Sequence, residues 1–392
     1  MFDADRVTET HTARPDRLPE MLHDVRELVE CESPSVDQAA IARSADLVAR
    51  IGRERLGAEA DRIAIEGCSH LRWRFGRRPA RVVLLAHHDT VWPQGTLERI
   101  PFAIQSGVLR GPGCFDMKTG LVQAFHALAG LLADGESIDG TTLLVTGDEE
   151  IGSPTSRSLI EEEAAGCVAA LVLEASGPGG ALKVGRKGVS LYDVEVTGRA
   201  AHAGLEPEAG VNAAVEIAHQ VHAVLALGDT DRGTTVTPTV LRAGTTTNTV
   251  PAHAALSVDA RMWTDSEQQR VDRAMRGLTA QVPTAGIEVR GGPNRPPLQR
   301  DSSTRLARIA QDLAPTVGID QLSTMSVGGA SDGNFTAGIG VPTLDGLGAV
   351  GDGAHAEHEH VLVEHIVPRT ELLAALIRRL LHGESREADV IQ

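Results

Sequence analysis

The 392-residue chain carries 53 acidic against 37 basic side chains, a formal charge of −16, which disfavours a nucleic-acid or anionic-membrane partner, since either requires a basic patch. Apolar residues make up 42% of it and aromatics only 3%, so the core is to be built from Ala, Val and Leu, in a chain long enough for two domains. The opening MFDADRVTETHTARPDRLPE has early acidic residues and no apolar run, so it reads as neither a secretory signal nor a membrane span. The four cysteines, Cys31, Cys68, Cys114 and Cys167, are scattered without a CxxC pair, as expected of reduced thiols in a cytoplasmic enzyme.

Helical spacing comes first, through Leu18, Met21, Leu22, Val25, Leu28 and Val29, then through Ile41, Leu47, Val48 and Ile51. Short apolar runs then alternate with helices: VVLLAHH, the helical LVQAFHALAGLLA, TTLLVTGDEE and ALVLEAS. Continuous apolar strands between helices predict a mostly parallel sheet covered on both faces, an α/β fold. From Lys187 the pattern changes. VSLYDVEVTG alternates apolar and polar residues, and is followed by the helical VNAAVEIAHQVHAVLAL, the strands TVTPTVLRAG and HAALSVDARMW, a helix from near Ser266, and a last strand at GIEVRGG. This βαββαβ order predicts an inserted, ferredoxin-like α+β domain over residues 187–295 with one open sheet edge. The loop GGPNRPP is expected to return the chain to the first domain, which is thereby discontinuous, 1–186 and 296–392.

The polar residues with chemistry sit where these strands end. In VVLLAHHDT a strand period of two places His87 and Asp89 on one face and His88 on the other, which suits either a ligand pair or a satisfied structural histidine. GPGCFDMKTG delivers Asp116 just before a helix, where a plain helix cap is the simpler reading. TGDEEIGS brings Asp148, Glu149 and Glu150 together; unless solvated or protonated, such a cluster needs cations. LVLEAS ends a buried strand with Glu174, a costly place for an unpaired charge. GAHAEHEHV adds His355, with His358 and His360 read as surface residues of the same loop. Jointly these residues cluster at the carboxyl ends of successive parallel strands, where open α/β sheets bind ligands.

The ordered set HHD, GPGCFDMKTG, TGDEEIGS, LEAS, GRAAHAG, GGASDGNF and GAHAEHE resembles the M20 family of dinuclear zinc peptidases and deacylases, most closely its glutamate carboxypeptidase branch. The resemblance implies a zinc-hydrolase catalytic domain and makes the inserted domain a dimerisation and lid domain. It implies that His87, Asp116 and Glu174 serve one zinc and Asp116, Glu150 and His355 the other, with Asp116 bridging and a position left open for a shared water. Co2+ or Mn2+ are expected substitutes. Three carboxylates against two dications and one hydroxide balance near zero, which a single zinc would not achieve. Asp89 becomes the acceptor for the imidazole proton of His87, Glu149 the general base, and the Asp116–Met117 peptide is expected to be cis. His88 is left with a packing role.

The resemblance further implies a homodimer in which His202 of GRAAHAG reaches the partner's site and steadies the oxyanion. Asn248 and Arg261 are expected to hold the substrate's terminal carboxylate as a pair, Ser331 to line the same pocket, and Arg295 to take an acidic side chain of the substrate. The implied activity is hydrolysis of the amide to a C-terminal amino acid, glutamate or similar, in a small acyl-amino-acid or short peptide. An N-acyl amino acid deacylase of the acetylornithine or succinyl-diaminopimelate type is the alternative. A catalytically silent amino-acid-binding protein is the alternative of another class, which ought to have lost the base or a ligand.

Overall fold

Helices α1 (Leu18–Glu30) and α2 (Gln38–Leu56) open the computed structural model, which describes residues 17–76 and 80–382; the reading of residues 1–16 lies outside the described residues. α2 begins where the Asp37 carboxylate accepts the N–H groups of Ala39 and Ala40, and stops at Gly57, whose φ of 64° is left-handed. The chain continues through β1 (Asp61–Ile65), β2 (Cys68–Phe75), β3 (Val82–His87), β4 (Ala103–Gln105), β5 (Val108–Arg110), α3 (Thr119–Ala133), β6 (Thr141–Thr146), α4 (Arg157–Ala164), β7 (Ala169–Val172) and β8 (Leu182–Arg186). Next come β9 (Gly188–Thr197), α5 (Ala213–Leu225), β10 (Thr235–Ala243), β11 (His253–Met262), α6 (Asp265–Arg276) and β12 (Gly286–Arg295). The last segment holds α7 (Arg300–Leu313), β13 (Thr324–Val327), α8 (Gly333–Gly338), β14 (Thr343–Leu344), β15 (Gly351–Asp352), β16 (His360–Leu362) and α9 (Ile366–His382).

The main sheet has the order β1-β2-β6-β3-β7-β14, in which β6, β3, β7 and β14 are parallel and β1 and β2 form an antiparallel edge. Its central strands are apolar throughout because both faces are covered. Val82, Leu84, Leu143, Val145, Ala169 and Leu171 join the core under α1, α2, α3 and α9, while Val83, Leu85, Leu144, Ala170 and Val172 pack with Leu159 and Ile160 of α4 and Phe335 of α8. The inserted unit is a separate antiparallel sheet, β10-β11-β9-β12, in the βαββαβ order that its alternating strands predict. One face packs on α5 and α6 through Tyr192, Val194, Val196, Leu256 and Val258; β10 is an edge strand with Val240 and Leu241 exposed.

The stretch GGPNR is not the loop expected of it. β12 runs through to Arg295, with its register shifting between Pro293 and Arg295, because Pro293 has no N–H for the ladder. Gly291, at φ 82°, lets the strand pass close to the Leu191 carbonyl where a Cβ would overlap it. Two further glycines matter for the site. A Cβ on Gly120, in the first turn of α3, or on Gly348, in the loop after β14, would overlap the Leu173 carbonyl, so the segment bearing Glu174 is gripped backbone against backbone. Two features went unforeseen: the parallel pair β8–β13, and the small antiparallel sheet β15-β16-β5-β4 that joins the His355 loop to the segment before Asp116.

Candidate metal centre

Because β6, β3 and β7 are parallel neighbours in that order, their carboxyl ends share one edge, with His87 in the middle, Glu149 and Glu150 on one side and Glu174 on the other. Asp116 enters from the turn before α3, across an Asp116–Met117 peptide that is cis. His355 enters from the loop between β15 and β16.

These side chains converge. His87 Nε2 lies 3.5 Å from both Asp116 Oδ1 and Glu174 Oε1, and His355 Nε2 lies 3.3 Å from Asp116 Oδ2 and 3.1 Å from Glu150 Oε2. The two oxygens of Asp116 thus face two different histidines. Ligand atoms at about 2.1 Å from one tetrahedral zinc lie about 3.4 Å apart, close to the spacing seen here. His87 Nε2, Asp116 Oδ1 and Glu150 Oε1 are also buried without a hydrogen-bond partner, a combination that is costly unless a cation occupies the space between them. The residues present therefore fit a pair of metal ions. Cys68, His70 and Asp148 also stand close together, but both ring nitrogens of His70 are engaged, with Thr155 Oγ1 and the Gly147 N–H, and Asp148 accepts from Thr155 and Ser156.

The electrostatics follow from burial. Burial opposes charge on His87, yet Asp116, Asp89 and Glu174 outweigh it and hold the imidazole well above its usual value. Burial likewise works against ionised Asp116, but His355 and His87 keep it below the usual carboxylate range. Glu150 is pushed up to about 7 chiefly by burial. Glu149 is raised well above the ordinary range by burial, against the pull of Arg295. So many carboxylates in one dry place call for positive charge from outside the chain.

Asp89 stands just beyond the end of β3. His87 Nδ1 is 3.0 Å from the Asp89 backbone oxygen and 3.3 Å from its carboxylate, so the carbonyl shares the orienting role expected of the side chain. The Asp89 carboxylate in addition accepts the N–H groups of Glu149 at 3.2 Å and Glu150 at 3.1 Å and the hydroxyl of Ser35, which fixes the acidic turn to the histidine strand. His88 points the other way, its ring nitrogens meeting Ser44 Oγ and the Ser69 carbonyl, and burial pushes its pKa down to about 4.

The residues expected to bind substrate are placed less simply. Asn248 sits before β11 beside His202, since the Ala203 N–H donates to the Asn248 carbonyl and His202 bridges Thr249. Arg261 is near the other end of β11, about 26 Å along the strand from its start. The two expected partners are thus set apart along one protomer, with Asn248 ahead of the strand and Arg261 near its far end. Arg261 is held in a fork by Asp259, at 2.9 and 3.1 Å, and donates to the Gly328 carbonyl. His202 is exposed, its Nδ1 accepting from the N–H groups of Gly204 and Leu205, so the neutral ring carries its proton on the outward Nε2. Ser331 does not line a pocket: it is fully buried and donates to Asp345 at 2.5 Å. Arg295, expected to take a substrate carboxylate, is buried and instead meets Glu149 Oε1 at 2.9 Å, Ser153 Oγ at 2.7 Å and Asp332 Oδ1 at 3.1 Å.

Three residues that contact these side chains had no signal in the reading by strand ends. Arg186 pairs with Asp345 at 2.8 and 2.9 Å and lies 3.8 Å from Glu174. Asp332 backs Arg295. Glu359, hidden between two histidines taken as surface residues, is buried and accepts four N–H groups around Asp116. Arg186 ends the strand LKVGR between Lys183 and Lys187, so no local pattern sets it apart from its neighbouring cations.

A family model described as Peptidase family M20/M25/M40 matches residues 83–379. The chain is 30% identical over 389 residues to carboxypeptidase G2 of Pseudomonas sp. (strain RS-16), covering 95% of this chain and 92% of that one. It is 28% identical over 337 residues to a succinyl-diaminopimelate desuccinylase of Gluconacetobacter diazotrophicus, covering 79% and 83%. In fold it is similar to the M20 family metallo-carboxypeptidase Sso-CP2 of Sulfolobus solfataricus, with a TM-score of 0.72 at 17% identity over 91% of this chain and 99% of that one.

Proposed function

This chain belongs to peptidase family M20/M25/M40 and is a hydrolase, and from that premise we propose that it is a dizinc enzyme cleaving the amide to a C-terminal amino acid, with glutamate or a similar acidic residue favoured as the leaving group. The observation that carries the reading is that His87, Asp116 and Glu150 bring ligand atoms within 4.8 Å of one another, and that each also has a buried polar atom without a hydrogen-bond partner. His87, Asp116 and Glu174 would hold one ion and Asp116, Glu150 and His355 the other. When bound, such a pair polarises the scissile carbonyl and makes water acidic enough to attack at neutral pH.

The chain's own residues do the rest. Glu149, buried and held by Arg295 at 2.9 Å, accepts the proton of the attacking water and passes it to the leaving nitrogen. Asp89 keeps His87 turned with Nε2 inward. The outward Nε2–H of His202 is suited to an oxyanion, and with Asn248 it would reach from one protomer into the other's site, where Arg261 of the receiving chain meets the substrate carboxylate. The exposed edge strand β10 supports a homodimer, and the four free thiols suit a cytoplasmic setting. No helix among the described residues is long and apolar enough to cross a membrane.

A second reading, removal of an acyl group from an amino acid of the succinyl-diaminopimelate type, is favoured by likeness to the desuccinylase. The two separate on the amino acid released by the zinc-loaded protein from a panel of N-acyl amino acids. Fastest release of glutamate or aspartate is expected; activity confined to succinylated diamino acids would select the second reading, and no hydrolysis at all would sink both.

A further inference from the structure

Glu359 is a fully occupied carboxylate near the site, although it touches neither a histidine nor a cation among its hydrogen-bond partners. It is 1% exposed. Its Oε1 accepts the N–H groups of Phe115 at 2.9 Å and Asp116 at 3.1 Å, and its Oε2 accepts the Gly113 N–H at 2.9 Å and the Trp92 indole N–H at 2.8 Å. Four N–H donors on two oxygens fill the acceptor capacity of an ionised carboxylate, whereas a carboxamide would turn an NH2 group against donors.

Its place in the chain gives this cluster a purpose. The loop that carries Glu359 also carries His355, and it is closed on itself by the Ala356 N–H on Gly353 and the Glu359 N–H on Ala356. Asp116 is therefore gripped twice by one loop: His355 faces its side-chain oxygen at 3.3 Å, and Glu359 holds its backbone nitrogen. Trp92 brings in the segment that follows His87. Three ligand-bearing segments, remote in sequence, thus meet on one carboxylate that itself binds no ion.

We propose that Glu359 is a positioning residue for the metal pair, fixing Asp116 between His87 and His355 so that its two oxygens can serve two ions. This rests on the dinuclear reading of the site. Glu359→Gln keeps the volume but sets an NH2 group where one oxygen accepts two N–H donors, so the four donors can no longer all be satisfied while every ligand side chain remains.

The test is a cobalt(II) titration of the metal-free protein followed by its visible absorption. Wild type is expected to take up two equivalents; Glu359→Gln is expected to bind at least tenfold more weakly, with an altered band, the usual size of effect for groups that orient ligands. Trp92→Phe removes one donor only and is expected to weaken binding by about threefold, and it decides the matter if Glu359→Gln fails to fold. Unchanged cobalt affinity and spectrum in a folded Glu359→Gln, or in Trp92→Phe should that be the only folded variant, overturn the positioning role alone. A wild type that binds no cobalt overturns the dinuclear reading and this role with it.

Discussion

Arg295 holds its Nη2 2.9 Å from Glu149 Oε1, so the last residue of the inserted domain's sheet grips the carboxylate next to Glu150. Truncation would leave Glu149 buried beside Asp332 with its cation gone, disturbing both its position and its ionisation. Arg295→Ala is expected to lower kcat by about 10²-fold, equally for acidic and neutral leaving residues. Steady-state kinetics on both substrate types check this; a loss confined to acidic leaving residues would return the arginine to substrate recognition.

Glu149→Gln retains the shape of the side chain and removes the basic oxygen. Turnover is expected to fall by about 10³-fold while zinc content per subunit stays that of wild type. Elemental analysis beside an activity assay decides it, and full activity in the variant would rule out Glu149 as the base.

Stripping metal with a chelator is expected to abolish hydrolysis and lower the thermal midpoint, because an ion bound only by the folded chain stabilises it, by about 2.7 kcal/mol per site at a hundredfold excess over Kd. Zinc should restore both, with activity saturating at two equivalents. Restoration at one equivalent would point to a mononuclear site.

The separation of Asn248 and His202 from Arg261 along β11 leads to a test in trans. His202→Ala and Glu149→Gln are each expected to be inactive alone, yet an equal mixture reassembled from separated subunits should recover about a quarter of wild-type activity, since half of the dimers then carry one intact site. No recovery in verified mixed dimers would place His202 in its own protomer's chemistry or in none.

His70 supplies a dependence on pH. Burial lowers its pKa below the ordinary 6.5, outweighing Asp148 and Asp89, so the unfolded chain takes up the proton first as pH falls. Its contribution is complete above about pH 6.5 and is lost progressively below that, towards its folded pKa. Denaturant unfolding of wild type and His70→Gln should therefore show a steeper acid decline for wild type below about pH 6.5. Parallel curves would mean that the ring is not buried in its neutral form.

Strand ends were the legible part of the sequence. Period-two alternation separated His87 from His88, continuous apolar runs pointed to the parallel sheet, and the half-exposed pattern after Lys187 marked the second domain. Contacts across the fold were not legible, because nothing local marks them. Ser331 reads as a loop hydroxyl until Asp345, distant in topology, is seen to take it. Arg295 reads as a cation for the substrate until β12 is found to run on through GGPNR and bring it to Glu149. Glu359 sits in a run of histidines that looks solvated, and only the small sheet formed by β4, β5, β15 and β16 explains why it is buried.

The glycines that press on Leu173 have an effect beyond packing. Gly120 and Gly348 let a helix start and a loop close on the Leu173 carbonyl, so the main chain that leads into Glu174 is held by rigid contacts and only its side chain is left to turn. Zinc-sized ions bind carboxylate at about 2.0–2.2 Å, while calcium asks for about 2.3–2.6 Å and more oxygens. An ion of zinc size, as proposed, would meet Glu174 on a main chain held from two sides by residues that own no ligand atom.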